Sequence, residues 1–151
     1  MSDAFRVELR TLDGGPTAVA SVGQLSVIAD RPIPAGGRGL GFNGGQLLYS
    51  AIAVCISNDL YREAAALGLR LSRVNLVVDG DWPGRGLPSG PITVDIELEG
   101  DGREAQLAEL VRIVEDVAEI PNTIRATAPV EFRVGHVVGS DTVTNVGGGS
   151  G

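Results

Sequence analysis

One segment constrains the fold of this chain more than any other. From Leu47 to Ile56 it reads Leu-Leu-Tyr-Ser-Ala-Ile-Ala-Val-Cys-Ile, apolar or small on whichever face of a helix each residue falls. Such a helix must be enclosed by protein, because a helix bordering water keeps a polar face. Asn43 can cap its start by accepting an orphan amide of the first turn, and Gly68 suits the left-handed residue that follows the last turn. The helix is expected over roughly Gln46 to Leu67, about 30 Å at ~1.5 Å per residue. Its second half turns amphipathic, with Asp59, Arg62 and Glu63 facing out. The apolar run from Leu47 to Ser57 falls short of the ~20 residues needed to cross a bilayer, so no membrane anchor is expected.

The flanking segments alternate as strands do. Phe5-Val7-Leu9, Ala18-Ala20-Val22 and Leu25-Val27 are separated by the turn signals Asp13-Gly14-Gly15 and Gly23, which predicts three short antiparallel strands. Leu69 to Asp79 and Ile92 to Leu98 predict two more, joined by a solvated Gly80–Gly90 connection that carries the single Trp82. Arg103 to Glu119 has Leu107, Leu110, Val111, Val114 and Val117 or Ala118 on one stripe, an amphipathic helix that Pro121 should stop. Pro129 to Val138 predicts a last strand. The fold class is therefore α+β, in the order βββ-α-ββ-α-β around a long buried helix. At 151 residues with 43% hydrophobic content, the chain reads as one domain, residues 1–139, followed by a Gly/Ser-rich tail, 140–151, with nothing to pack. One sheet and one other helix in so short a chain leave part of the central helix uncovered, and a second copy would cover it. A homodimer is expected on that ground.

Charge removes several function classes. The net charge is −7, and all twelve basic residues are scattered arginines, whereas nucleic acid and anionic membranes attract clustered positive charge. The opening residues show no basic start followed by an apolar run, so the expected location is the cytoplasm. Cys55 is the lone cysteine, which excludes an internal disulfide and leaves two readings, a packed core residue or a reactive thiol. His136 is the only histidine and has no evident second ligand, so no metal or cofactor is expected. Glu97, Glu99, Asp101 and Glu104 read as a solvated acidic face.

Two motifs carry a family resemblance. Gly41-Phe-Asn-Gly-Gly-Gln-Leu-Leu-Tyr-Ser-Ala-Ile-Ala-Val-Cys55 resembles the OsmC/Ohr stretch in which Asn-Pro-Glu-Gln-Leu leads into a small-residue helix ending in Ala-Cys. Glu119-Ile-Pro-Asn-Thr-Ile-Arg125 resembles the family's second motif, where a Cys-Pro pair follows the second helix. The resemblance implies an intertwined homodimer with two central helices back to back. For family members of the peroxidase kind it also implies reduction of organic hydroperoxides by a peroxidatic cysteine, a resolving cysteine, an arginine and a glutamate that orients the arginine.

Carried over by position, Cys55 matches the peroxidatic cysteine. Ile120 stands where the second cysteine would be and Gly45 where the glutamate would be. The family arginine falls near Gly14 or Gly15, where no arginine stands. Arg10, Arg31 and Arg38 are close enough in sequence to substitute, and Arg38, in the glycine-rich loop Arg31–Phe42, is the chosen candidate. That loop has two prolines and four glycines, a composition that often lies against a site. The resemblance thus implies a one-cysteine peroxidase, with Cys55 and Arg38 catalytic and Leu48, Ile52 and Ile120 binding a greasy substrate. An external thiol, such as a lipoyl group or a low-molecular-weight thiol, would then act as reductant. The alternative is a non-peroxidase that binds an apolar small molecule at the dimer interface.

Overall fold

The computed structural model describes residues 5–136 and 139. Three strands, β1 (Glu8–Thr11), β2 (Ala18–Val22) and β3 (Leu25–Ala29), form an antiparallel sheet in sequence order. Each turn uses the backbone its residues allow: Gly14 and Gly23 are left-handed, as tight hairpins require. After a 3₁₀ turn at Ile33–Ala35 comes the long helix α1 (Gly44–Ala66). Then follow the hairpin β4 (Leu71–Asp79) and β5 (Thr93–Gly100), and the helices α2 (Glu104–Val117) and α3 (Glu119–Arg125).

The expected cap of α1 is present in full. Asn43 Oδ1 accepts the Gln46 amide at 2.9 Å and Gln46 Oε1 accepts the Asn43 amide at 3.0 Å, a reciprocal capping box. Gly68 ends the helix with φ at 70°, where a Cβ would be strained. One core joins α1, α2 and the inner face of β4–β5: Ile52, Ile56, Leu60 and Ala64 meet Leu110, Val114 and Ala118, and Val94, Ile96 and Leu98 cover them. The α2 stripe read from the sequence is the stripe that packs.

Three expectations need correction. Pro121 does not stop the helical run; Ala118 breaks it with ψ of 112°, and Pro121 sits in the first turn of α3, where a missing N–H costs nothing. The strands form separate three- and two-stranded sheets, not one sheet. Residues 128–136 form no strand: among the described residues no strand pairs with them, and Val130, Phe132 and Val134 stand exposed; Val137 and Val138 lie outside the described residues. The predicted tail, 140–151, is also outside them. In this single chain α1 is not fully enclosed: Val54 is 58% exposed, and Leu9, Leu25 and Ile28 of the first sheet are exposed as well.

Candidate functional site

Helical spacing sets one polar stripe into the apolar half of α1. Cys55, Asp59 and Arg62, at i, i+4 and i+7, share a face. Asp59, expected to face out, is instead 3% exposed, because the packing of α3 against α1 covers its position, and a carboxylate so buried needs partners. Arg62 supplies one, its Nη1 lying 2.8 Å from Asp59 Oδ1. The Cys55 thiol supplies the other, 3.9 Å from Asp59 Oδ2, and α3 brings Glu119 Oε2 to 4.0 Å from the same sulfur. The hydrogen bond that Arg62 donates to Glu63, then the charges of Asp59, Glu63 and Glu119, hold the Arg62 guanidinium above its ordinary pKa despite the opposing effect of burial. Cys55 is thus a half-buried thiol among carboxylates, not a residue packed in hydrocarbon alone. Donor atoms of Cys55, Asp59 and Glu119 lie within 4.8 Å of one another, a mixed sulfur and oxygen set of the kind that can hold a divalent cation. Arg62 already neutralises part of its charge.

Beside this stripe lies an apolar cavity of about 750 Å³, bounded by α1, β5, α2 and α3. Leu48 and Ile52 line it, with Ile92, Val94, Val111 and Trp82. Ile120 packs against the core next to it and is not part of its wall. Trp82 closes one end: its ring stacks on Tyr49 with centroids 5.2 Å apart, and the Tyr49 hydroxyl meets Ser89 Oγ at 3.0 Å. The local sequence pattern places Trp82 only in a solvated connection, since nothing in it pairs residues 82 and 49.

Arg38 stands elsewhere. Its Nη1 lies 3.6 Å from Asp13 Oδ2, in the β1–β2 turn, and among the described residues its side chain makes no hydrogen bond to Cys55. The guanidinium therefore sits beside the turn that holds Gly14 and Gly15. Two of the four loop glycines are set by the chain's own backbone: a Cβ on Gly37 would collide with the Arg31 carbonyl, and one on Gly41 with that of Ile28. His136 is exposed. No helix among the described residues is long and apolar enough to cross a membrane.

Comparison with known proteins agrees with this architecture. The family model described as OsmC-like protein matches residues 36–133. No curated protein matches. An OsmC-like protein from Mycoplasma pneumoniae superposes with a TM-score of 0.71 at 19% identity, covering 83% of this chain and 89% of that one. A putative osmotic stress induced and detoxification response protein from Psychrobacter arcticus gives 0.68 at 14% identity, covering 82% and 90%. An organic hydroperoxide resistance protein from Legionella pneumophila gives 0.59 at 18% identity, covering 82% and 92%. The α+β fold is shared with these structures, and the chain belongs to the OsmC-like protein family.

Proposed function

We propose that this protein is a homodimeric, one-cysteine thiol peroxidase that reduces organic hydroperoxides at Cys55 in the cytoplasm. The observation that carries this reading is the setting of Cys55, a half-buried thiol that faces polar groups at the family's peroxidatic position, on the helix whose Ile52 and Ile56 line an apolar cavity. Solved relatives described as organic hydroperoxide resistance proteins support the substrate class. In the reaction the Cys55 sulfur attacks one peroxide oxygen, the O–O bond breaks, and the other oxygen leaves as an alcohol once protonated. The sulfenic acid left on Cys55 condenses with an external thiol, releasing water, and a second thiol equivalent frees the cysteine as the external disulfide forms. Ile120 cannot provide the internal thiol.

A thiol bordered by Asp59 and Glu119 needs a cation for attack to be fast. Arg38 is the candidate, and its guanidinium, already beside the β1–β2 turn, would reach Cys55 of a second subunit. The exposed apolar residues of α1 and of the first sheet supply the surface for that pairing. The decisive experiment is intact mass spectrometry after brief exposure to cumene hydroperoxide with dimedone present. One rapid adduct, absent from Cys55→Ser, is the expected result; an inert Cys55 overturns the reading.

The apolar lining of the cavity favours a second reading, binding of an apolar small molecule without turnover. Trp82 is the only tryptophan and lines the cavity, so its fluorescence reports occupancy. Saturable quenching by 2-phenyl-2-propanol with no peroxide consumption would establish this reading over the first.

A further inference from the structure

Asp30 lies at the end of β3 and is 4% exposed, yet among the described residues it pairs with no cation. Its carboxylate instead collects four donors. The Arg31 amide donates to Oδ1 at 2.7 Å; the Thr17 hydroxyl at 3.1 Å and the amides of Arg38 and Leu40, both at 3.2 Å, donate to Oδ2. Backbone bonds close the same circuit: the Asp30 amide donates to Phe42 O at 3.0 Å, and the Gly39 amide to Arg31 O at 3.1 Å. Residues 31–42 are thus wound around one buried charge, with Gly36 and Gly39 left-handed and Gly37 and Gly41 against backbone. Burial pushes the Asp30 carboxyl up, but the bonds from Arg31, Leu40, Thr17 and Arg38 outweigh it and hold the group below its usual pKa.

Burying a carboxylate is costly, and a neutral turn would close a loop of this length without that cost. The charge has a use if the loop must be held in one shape. Of the residues in the loop, Arg31 and Arg38 carry cations, and Arg38 has its amide on Asp30 and its guanidinium by Asp13. We infer that Asp30 is the positioning residue of Arg38: by fixing the main chain at residues 38 and 40 it sets where the guanidinium is presented. The inference rests on the reading of Arg38 as the cation that serves Cys55. It separates two tasks, with Asp30 shaping the loop from inside and Arg38 acting from its outer side.

The test uses the full chain with Asp30→Asn, and with Thr17→Val as a milder variant should the first unfold. Amide exchange by NMR reads the loop and hydroperoxide turnover reads its consequence. The expected result for Asp30→Asn is exchange at the Arg38 and Leu40 amides faster by about tenfold or more, with β4–β5 amides unchanged. Thr17→Val should show a smaller increase at the same two amides. Turnover should fall toward that of Arg38→Ala, and Asp30→Asn added to Arg38→Ala should cost nothing further. Unchanged exchange at both amides in both variants overturns the inference. So does a loosened loop with full turnover where Arg38→Ala has lost it. If Arg38→Ala itself keeps full activity, the assignment of Arg38 to Cys55 fails, and Asp30 then positions nothing used in catalysis. The exchange rates still decide separately whether Asp30 holds the loop.

Discussion

The indole of Trp82 fills the space above Gly45: a Cβ placed at residue 45 would lie 2.9 Å from two atoms of the six-membered ring. The family's glutamate position and the aromatic end of the cavity thus compete for one volume in this protein. Restoring the acid, Gly45→Glu, is expected to destabilise the fold by about 1–3 kcal/mol through overpacking. Adding Trp82→Ala should recover part of that loss. Denaturant unfolding of the single and double variants checks this, and strictly additive effects would refute the competition.

Arg62 and Asp59 form a pair with unequal burial, since the Arg62 side chain is half exposed and Asp59 is not. Removing the arginine strands a buried carboxylate, whereas removing both charges does not. Arg62→Ala should therefore lower the thermal midpoint more than Arg62→Ala combined with Asp59→Asn. Calorimetry of the two variants gives the order directly.

Leu60 and Leu110 are fully buried where α1 crosses α2. Either one changed to Ala should cost about 2–5 kcal/mol in urea unfolding. Leu40→Ala, in the exposed loop, should cost far less.

Acid stability follows from two carboxylates. Burial opposes ionisation of Asp30 but its hydrogen bonds prevail, and for Asp101 the bonds from the Arg70 amide and guanidinium act first; both sit below the ordinary value of 3.8. A lowered folded pKa means the unfolded chain binds more protons in that window, so these groups stabilise the fold above about pH 4. Their contribution is lost as pH falls through the folded values. Thermal midpoints should be level in this respect from pH 5 to 7 and drop below about pH 4. Asp30→Asn should drop less steeply, with Arg31, Arg38 and Asp13 as the nearby charges that also shape the curve.

Val54 is exposed in the apolar half of α1, where a single chain leaves the helix bare. Sedimentation should show a dimer, and Val54→Asp should shift it toward monomer by placing a charge in the interface. A monomeric wild-type protein would contradict the dimer.

Local rules were enough to read much of this chain from its sequence. The reciprocal cap of Asn43 and Gln46, the left-handed Gly68, the α2 stripe and the alternation of β4 and β5 all depend on residues a few positions apart, and each appears in the structure. The position of Cys55 on an apolar helix was legible for the same reason. Tertiary structure decided what depends on residues far apart. Glu119 meets Cys55 across 64 positions, Tyr49 meets Ser89 across 40, and Asp30 reaches Thr17 and Leu40 in opposite directions along the chain. Pro121 reads as a stop in sequence but opens a helix once Ala118 has turned the backbone, since proline is excluded only where its missing N–H is needed. Residues 129–136 alternate as a strand should, yet a strand exists only against another edge, and which edge is available is a property of the folded chain, not of the segment.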